Sequence, residues 1–355
     1  MQNHKVFLLQ ALTCAKNREG FCAPNPAVGA VVVKDNQVIA TGYHFGAGFP
    51  HAEVEALNKA GDNASGATLY ITLEPCCHFG RTPPCTDRIL KAGIKAVYFG
   101  FTDPNPAVCG KGSEILNQAG IICQKITLPE IDLFYTPYAY WTKNIRPFVT
   151  AKLAMSADFK IAGENKQTVR ITGTECEKLT HEYRKKSDAI LTGINSIVLD
   201  NPNLNCRLNN EIISKPIYIL DSHAKLPLDF KIWTTGKSIT VFYSDSAEKS
   251  AVEKLTQQGA RCILVPKNKF GLDLAIILKQ IGADGFQTLL IEAGAICFNS
   301  FLKQNLLNQV LIYISPTLLG EKAYSAGVDL KALGHKARNT IKNQYDRDCV
   351  WLYQL

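Results

Sequence analysis

The sequence has no apolar stretch long enough to cross a lipid bilayer. Its 355 residues are 46% hydrophobic, yet no run approaches the roughly 18 apolar residues that a membrane helix needs. The N-terminal segment MQNHKVFLLQALTCAKNREG lacks the small-residue cleavage site of a signal peptide, and its apolar residues recur at helical spacing. The helical spacing predicts an amphipathic first helix. Because a membrane span and a cleavage site are both missing, we expect no membrane partner and a cytoplasmic location.

A large excess of charge of one sign is also missing. The formal net charge is +8, and the only compact basic run is Arg184-Lys185-Lys186. A balance this mild suits small anionic ligands such as phosphate esters at least as well as a polynucleotide. No internal repeat, heptad pattern or low-complexity tract occurs. We therefore expect a globular protein with a small-molecule partner and no nucleic acid.

The length and the order of apolar segments predict two α/β domains. A chain of 355 residues is too long for one ordinary domain. Strand-like and helix-like segments alternate in both halves, beginning with AVGAVVVKDNQVIATGYH, in which two Val-rich strands flank an Asp35-Asn36 turn. An aromatic helix in IDLFYTPYAYWTKNIRPF ends the first half. The boundary is predicted at about residues 144–147.

Cysteine is plentiful, and its distribution indicates chemistry. Twelve cysteines occur, three of them in LEPCCHFGRTPPC at residues 73–85. In a reducing compartment, clustered cysteines more often bind metals or catalyse than form disulfides. A histidine and a glutamate, His51 and Glu53, open a predicted helix upstream. Histidine and thiolate ligands are those that tetrahedral zinc favours, and three protein ligands leave the fourth position for water.

The combination of His-x-Glu with a later Pro-Cys is typical of zinc deaminases. In those enzymes the glutamate does not bind the metal but relays protons of the activated water, and a second cysteine follows three residues after the first. Here that third position is Phe79, and the next cysteine is Cys85, behind Pro83-Pro84. The spacing therefore departs from the ordinary deaminase pattern.

Two structural alternatives exist for the cysteines. They could fill an apolar core, or they could form a closed structural zinc site with Cys77 or His78 as the fourth ligand. Adjacent cysteines point in different directions in most backbones, and neither alternative gives His51 and Glu53 a purpose. A catalytic zinc site is the favoured interpretation, with Cys77 packing rather than reacting.

The long Cys-to-Cys gap in LEPCCHFGRTPPC, with HAEVEAL before it, resembles the deaminase domain of the bifunctional riboflavin-biosynthesis family called RibD. The resemblance implies a cytidine-deaminase-like, three-layer α/β/α domain over residues 1–145. It further implies zinc ligands at His51, Cys76 and Cys85, with Glu53 as the catalytic proton shuttle. The implied deaminase substrate contacts are Asn25, His44, His78 and Arg81. From the residues alone, Asn25 is equally typical of a turn and His44 of a loop.

The second half lacks the Gly-x-Gly-x-x-Gly of an ordinary dinucleotide-binding fold. It contains LLIEAGAICFNSFL, in which a strand ends at Glu292 and Gly294 opens a helix. Free N–H groups at such a helix start suit a phosphate, although any strand-to-helix turn can use glycine. Residue chemistry alone leaves this site weakly defined.

Five segments of the second half resemble the reductase domain of the same family: KLAMSADFKIA, ITGTE, DAILTGINSIVLDNPNLNCR, YILDS and IEAG. The resemblance implies a dihydrofolate-reductase-like α/β domain over residues 146–355 that uses NADPH. The implied cofactor contacts are Ala154, Arg170, Ser196, Asp200, Ser222, Gly294, Ala295, Ile296, Cys297, Phe298, Asn299 and Ser300. The implied substrate contacts are Thr168, Arg184, Leu204, Arg207 and Glu292.

Physical chemistry supports part of this assignment, and two departures from the family pattern bear on it. Arg184 and Arg207 offer forked donors for a ribose phosphate. This chain has Phe159 where the family usually has glycine. It has Thr168-Val169-Arg170 where the family usually has Ser-x-Trp, so Arg170 replaces the tryptophan. The tryptophan is expected to line the cofactor site, so Arg170 would instead bring a positive charge near a phosphate.

The sequence therefore predicts a bifunctional enzyme of riboflavin biosynthesis. Its deaminase would hydrolyse the 2-amino group of 2,5-diamino-6-(5-phosphoribosylamino)pyrimidin-4(3H)-one, using zinc. Its reductase would convert the ribosyl group of 5-amino-6-(5-phosphoribosylamino)uracil to ribityl with NADPH. We expect a homo-oligomer. The alternatives are an RNA or tRNA deaminase with a nucleic-acid-binding second domain, and a zinc-stabilised binding module without catalysis.

Overall fold

The computed structural model describes residues 2–79, 83–106 and 108–355. They form two compact units that divide between Arg146 and Pro147. Both units are α/β, as the alternation of apolar segments predicts. Within the described residues, no helix has the length and apolar character needed to span a membrane.

The first unit is a three-layer sandwich of helices around one sheet. Its elements are α1 (Gln2–Lys16), β1 (Gly29–Lys34), β2 (Gln37–Tyr43), α2 (Ala52–Ala60), β3 (Thr68–Leu73), α3 (Cys85–Lys91), β4 (Ala96–Phe101), α4 (Lys111–Gln118), β5 (Ile122–Lys125) and α5 (Pro129–Asn144). The strand order is β2-β1-β3-β4-β5. Strands β3, β4 and β5 are parallel, whereas β1 runs antiparallel to both neighbours.

Both faces of this sheet are covered by helices, which explains the uninterrupted valine run of β1. Val31 packs among residues of α1 and α5, and Val32 packs among residues of α2, α3 and α4 on the opposite face. The turn between β1 and β2 has positive φ at Asp35 and Asn36 (48° and 64°). Asn and Asp tolerate that conformation, which two-residue hairpins require.

The second unit is built on a nine-stranded sheet. Its elements are β6 (Phe148–Ser156), β7 (Lys160–Ala162), α6 (Thr174–Lys186), β8 (Ala189–Gly193), α7 (Ile194–Asp200), β9 (Cys206–Leu208), β10 (Glu211–Ile213), β11 (Pro216–Leu220), α8 (Ile232–Thr235), β12 (Ser238–Tyr243), α9 (Lys249–Gln257), β13 (Arg261–Leu264), β14 (Lys267–Asn268), β15 (Gly271–Leu272), α10 (Leu274–Ala283), β16 (Thr288–Glu292), α11 (Ala295–Lys303), β17 (Gln309–Ser315), β18 (Tyr324–Ser325), α12 (Leu330–Lys336), β19 (Asn339–Tyr345) and β20 (Asp348–Gln354).

The order of this large sheet is β13-β12-β11-β8-β16-β6-β17-β20-β19. The strands from β13 to β17 are parallel, and β20 and β19 form an antiparallel hairpin at one end. Residues of β6 and β16 pack with α10 and α11 in the main core. Parallel strands bring their carboxyl ends to one edge, where ligands of open α/β sheets bind.

Phe159 occupies the turn between β6 and β7 with φ of +59°. This left-handed region costs a bulky side chain free energy that glycine avoids. The family's usual glycine therefore has a backbone reason, and this chain carries local strain in its place.

Candidate active sites

Three soft donor atoms meet near the carboxyl end of β3. His51 directly precedes α2, Cys76 follows β3, and Cys85 is the first residue of α3. His51 Nδ1 lies 3.4 Å from Cys76 Sγ and 3.2 Å from Cys85 Sγ, and the three ligand atoms all lie within 4.8 Å of one another. One imidazole and two thiols at these separations fit a tetrahedral zinc ion with a fourth position for water.

Hydrogen bonds inside the cluster favour a thiolate. The bond from the Cys85 thiol, together with His51, lowers the pKa of Cys76. The Cys85 backbone N–H, at the start of α3, also donates to Cys76 Sγ at 3.3 Å. The bond to Cys76 raises the pKa of His51 to about 9, and the pKa of Cys85 is raised because Cys76 and burial disfavour a second thiolate. A thiolate is the form that binds metal, and donors at a helix start promote it.

Glu53 lies in the first turn of α2, two residues after His51. Its side chain is buried, and burial raises the pKa of its carboxyl to about 7. It lines the same cavity as His51 and Cys76 without belonging to the three-donor group. A carboxyl group with this pKa can both accept and return a proton near neutral pH.

The first unit contains a cavity of about 280 Å³ lined by three of the predicted substrate contacts, Asn25, His44 and His78. Asn25 Nδ2 lies 3.0 Å from His44 Nε2, and His44 Nδ1 lies 3.0 Å from the Pro50 carbonyl oxygen. A carbonyl oxygen can only accept a hydrogen bond, so the proton of the neutral His44 ring is assigned to Nδ1. Burial lowers the pKa of His44. The fourth predicted contact, Arg81, lies outside the described residues.

Two further residues of this cavity are Asp103 and Tyr138. From the sequence, the TDPNP segment around Asp103 is typical of a turn first and of a substrate loop second, and Tyr138 was not predicted. Both are buried, and Tyr138 Oη donates to Asp103 Oδ1 at 3.1 Å. The Asn105 backbone N–H donates to the same oxygen at 2.9 Å. Asp103 follows β4, the strand beside β3. Ligands bind at the carboxyl edge of such a sheet, so the position of Asp103 directly after a predicted strand could have indicated a site residue.

The second unit contains a larger cavity, of about 1190 Å³, at the carboxyl ends of β8, β11 and β16. It brings together fifteen predicted residues: Ala154, Thr168, Arg170, Arg184, Ser196, Asp200, Leu204, Arg207, Ser222, Glu292, Gly294, Ala295, Ile296, Cys297 and Ser300. Two others do not line it. Phe298 is fully buried in the core, and Asn299 donates to the Ala326 carbonyl oxygen. Consecutive helical residues point in different directions, so one helix cannot present all of them to one cavity.

The predicted substrate contacts Arg184 and Glu292 form a bidentate ion pair. Arg184 Nε and Nη2 donate to the two carboxylate oxygens at 2.6 and 2.8 Å, and Nη1 donates to the Asn205 carbonyl oxygen at 2.9 Å. Burial would raise the pKa of Glu292, but the Arg184 guanidinium outweighs it and holds that pKa below its usual range. Glu292 thus occupies one edge of the Arg184 guanidinium. Arg207 lines the same cavity, is exposed, and donates from Nη1 to Asn205 Oδ1 at 2.7 Å.

Lys152 and His181 also line this cavity, and the sequence prediction missed both. Burial lowers the pKa of Lys152 in spite of the nearby Glu292 carboxylate. His181 Nδ1 accepts from the Arg207 backbone N–H at 3.1 Å. Lys152 is a single lysine within a strand and His181 a single histidine within a helix. Neither forms a sequence pattern with its neighbours, so there was no reason from the sequence to predict that they line a site.

Other polar side chains of this cavity suit a large polar ligand such as a dinucleotide. Thr168 Oγ1 donates to Asp200, and Arg170 pairs with Glu177 at 3.0 Å on the exposed rim. Thr192 Oγ1 and Asp221 Oδ2 are buried in the wall, and neither has a hydrogen-bond partner among the described residues. Orphaned polar atoms beside a large cavity fit a bound polar ligand.

Comparisons with known proteins agree for both units. Residues 1–101 match the cytidine and deoxycytidylate deaminase zinc-binding region, and residues 147–349 match the RibD C-terminal domain. The riboflavin biosynthesis protein RibD of Aquifex aeolicus is 39% identical, with 89% of this chain and 88% of that protein covered. RibD of Escherichia coli is 33% identical, with 90% and 89% covered.

Solved structures extend the likeness along the whole chain. Acinetobacter baumannii RibD superposes with a TM-score of 0.88 at 32% identity, and 99% of each chain is covered. A Thermotoga maritima diaminohydroxyphosphoribosylaminopyrimidine deaminase/5-amino-6-(5-phosphoribosylamino)uracil reductase gives 0.86 at 30% identity, also with 99% of each chain covered. The predicted fold class is confirmed. The chain belongs to the RibD family of bifunctional, zinc- and NADPH-dependent riboflavin-biosynthesis enzymes.

Proposed function

We propose that residues 1–145 carry the deaminase reaction and residues 146–355 the reductase reaction. The substrates would be 2,5-diamino-6-(5-phosphoribosylamino)pyrimidin-4(3H)-one and then 5-amino-6-(5-phosphoribosylamino)uracil. The observation that carries this proposal is the His51, Cys76 and Cys85 cluster, with Glu53 in the same cavity. The separate, larger cavity of the second unit supports the division of labour.

For deamination, His51, Cys76 and Cys85 would hold zinc, which supplies Lewis-acid activation of water. The Glu53 carboxylate takes a proton from the attacking water and returns it to the departing amino group, so that ammonia leaves as an oxygen is gained. Its raised pKa, about 7, keeps both protonation states accessible for this transfer. Asn25 and His44 hold the pyrimidine edge.

For reduction, the nicotinamide of NADPH supplies the hydride. Hydride arrival at the ribosyl C1 breaks its bond to the ring oxygen, and that oxygen then needs a proton. Lys152 lines the cavity beside Glu292, and its ammonium group can provide that proton at Nζ. Arg207 would bind the substrate phosphate, and the Arg184–Glu292 pair would orient the sugar hydroxyls.

Incubation of the purified protein with the diaminopyrimidinone phosphate, with and without NADPH, tests both halves. Ammonia release scores the deaminase, and the fall in NADPH absorbance scores the reductase. We expect Lys152→Gln to stop NADPH oxidation while ammonia release continues. Loss of both activities in this variant would contradict the assignment of Lys152 to the second reaction.

The Glu53→Gln variant tests the deaminase mechanism. It should abolish ammonia release and retain zinc, because Glu53 is not among the three donors. The matched control is Glu55→Gln on the same helix. Glu55 accepts from the Tyr43 backbone N–H at 3.2 Å and pairs with Lys59. Ammonia release at the parental rate in Glu53→Gln would refute the mechanism.

Three further statements belong to this proposal. The protein acts in the cytoplasm, where reducing conditions keep thiols such as Cys76 and Cys85 available as metal ligands. It assembles as a homo-oligomer, a prediction for light scattering to test. It binds neither nucleic acid nor membranes, so tRNA should leave its gel mobility unchanged and lipid vesicles should not co-sediment with it.

A further inference from the structure

The loop between β2 and α2 carries two exposed phenylalanines, Phe45 and Phe49, that the function described above does not use. Phe49 is 56% exposed and lines the cavity of the first unit together with His51 and Glu53. We propose that the Phe49 ring stacks on the pyrimidine ring of the substrate, and that Arg18 positions Phe49 for this contact. The inference rests on the deaminase function proposed for this unit and adds a specificity-determining contact to that site.

The polar side chains of the cavity leave the faces of a pyrimidine uncovered. Groups such as Asn25 and His44 can bind only its edge, because the hydrogen-bonding atoms of the ring lie in its plane. In small-molecule sites, apolar and aromatic side chains cover the faces. Two aromatic residues other than histidine line the described part of the cavity. Tyr138 is buried and bonded to Asp103, whereas the Phe49 ring is exposed and has no polar atom to satisfy.

Hydrogen bonds hold the backbone of this loop in one conformation. His44 Nδ1 donates to the Pro50 carbonyl oxygen at 3.0 Å and so joins the two ends of the loop. Between them, the Phe49 backbone N–H donates to the Gly46 carbonyl oxygen at 3.1 Å. Gly46 and Gly48 have φ of +141° and +88°, a region that other residues rarely adopt. The loop thus presents Phe49 at the cavity wall before a substrate arrives, which lowers the entropic cost of the contact.

Aromatic rings around Arg18 support Phe49 from outside the cavity. The ring centroids of Phe49 and Phe45 lie 6.1 Å apart. The guanidinium carbon of Arg18 lies 5.3 Å from the centroid of the Phe45 ring and 5.2 Å from that of the Phe21 ring. Arg18 Nη2 also donates to the Phe45 carbonyl oxygen at 2.8 Å. A cation that contacts two rings and the loop backbone restrains Phe45, and Phe45 in turn restrains Phe49. Arg18 is therefore a positioning residue that acts on the substrate through Phe49.

Kinetics of ammonia release from the diaminopyrimidinone phosphate test the stacking contact. Loss of one base stack should raise KM about tenfold in Phe49→Ala and leave kcat at the parental value, because the contact is the same in the ground state and the transition state. Phe49→Tyr should keep the parental KM, since it retains the ring. Phe49→Leu should resemble Phe49→Ala, since leucine retains apolar volume without a ring to stack.

Phe49→Trp gives a spectroscopic signal of the same contact. In a Glu53→Gln background, which should bind the substrate without turnover, added substrate should quench the emission of the introduced tryptophan, because a stacked base quenches indole fluorescence. Glu53→Gln alone contains the three native tryptophans and provides the background signal.

Arg18→Met tests the positioning role, because it removes the guanidinium and keeps an unbranched side chain. We expect a rise in KM smaller than that of Phe49→Ala, and partial recovery in Arg18→Lys, which retains a cation near the rings. The double variant Arg18→Met, Phe49→Ala should have the same KM as Phe49→Ala, since no ring remains to be positioned. Additive effects in the double variant would contradict the positioning role.

Leu133→Ala is the matched control, because Leu133 is a 61% exposed apolar residue on α5 that does not line the cavity. It should keep the parental KM. Zinc content is measured in every variant, since Phe49 stands two residues before His51. If Phe49→Ala loses zinc, the comparison of Phe49→Tyr with Phe49→Leu decides.

Three results would overturn the inference: a parental KM in Phe49→Ala, a parental KM in Phe49→Leu, or a change of oligomeric state in Phe49→Ala with KM unaltered. The last result would mean that the two phenylalanines contact another copy of the chain. A parental protein that releases no ammonia from this substrate would instead overturn the proposed deaminase function, and the inference with it.

Discussion

Replacing Glu292 alone should destabilise the second unit strongly. The Arg184–Glu292 pair is bidentate, and its side chains are only 12% and 11% exposed. Removing one partner of such a pair leaves a buried charge unpaired, at a cost of about 3–5 kcal/mol. Arg184 keeps its hydrogen bond to Asn205, so we expect Glu292→Met to cost about 3 kcal/mol, the lower end of that range.

The double variant Arg184→Met, Glu292→Met removes both charges and leaves apolar side chains of similar length. Its cost should fall short of the sum of the single costs by about 1–3 kcal/mol, the coupling typical of contacting charges. The pH dependence should have a defined sign. Because the folded-state pKa of Glu292 is lowered, its stabilising contribution exists above the unfolded-state pKa and disappears as pH falls through the folded-state value.

Tryptophan fluorescence during guanidinium unfolding can report the second unit separately. Trp141 lies in the first unit, whereas Trp233 and Trp351 lie in the second. A Trp141→Phe background therefore restricts the signal to the second unit. The control is Arg261→Met, because Arg261 is 53% exposed in its pair with Asp284. That variant should cost less than about 1 kcal/mol, as exposed pairs do.

Two results would refute this reasoning. One is a cost for Glu292→Met no larger than that of the exposed control. The other is a double variant whose cost equals the sum of the two single costs, since additivity would mean that the two charges do not interact in the folded protein.

Three other predictions follow from individual features. Phe159→Gly should raise the unfolding free energy of the second unit by up to about 1 kcal/mol, because it relieves a positive φ, and a lower midpoint in denaturant would contradict this. Asp158→Asn should be less stable than the parent at neutral pH, with the difference vanishing on acidification. The Ser156 hydroxyl is the chief cause that lowers the pKa of Asp158 from 3.8 to about 2, so its contribution shrinks as pH falls from about 4 through 2. A gap that is as large at pH 2 as at neutral pH would exclude this cause. Removing zinc with a chelator should lower the thermal midpoint of the first unit, and added zinc should restore it; Cys85→Ser should respond to neither treatment.

The three predicted metal donors lie together in the structure, and a sequence can indicate such a group because zinc catalysis restricts residue type and spacing together. His51, Cys76 and Cys85 are separated along the chain, yet each stands beside the start or end of a predicted element, and the structure brings their donor atoms together. Asp103 was not assigned to the site because an aspartate in a Pro-rich turn has an ordinary structural explanation, which placed the substrate-loop interpretation second. Only the sheet topology puts it beside the cluster.

The prediction was less complete in the second unit for similar reasons. The β19–β20 hairpin was not predicted, because NTIKNQY is polar and almost wholly exposed and so shows no alternation of apolar residues. The segment from Gly294 to Ser300 was assigned to cofactor as a block, although helical geometry turns Phe298 into the core. The ion pair between Arg184 and Glu292 joins residues of distant segments and has no sequence signal.

The three donors of the first unit come from separate pieces of backbone: the start of α2, the segment after β3 and the start of α3. A zinc ion bound by all three donors would crosslink these pieces of backbone in addition to its catalytic role. The loop that it closes runs from His51 to Cys85 and contains the first turn of α2, which bears Glu53. Closing such a loop restricts the unfolded chain much as a disulfide does. Metal depletion in the cell would therefore deprive the enzyme of its Lewis acid and, in the same event, remove the link between the starts of α2 and α3 and the segment after β3.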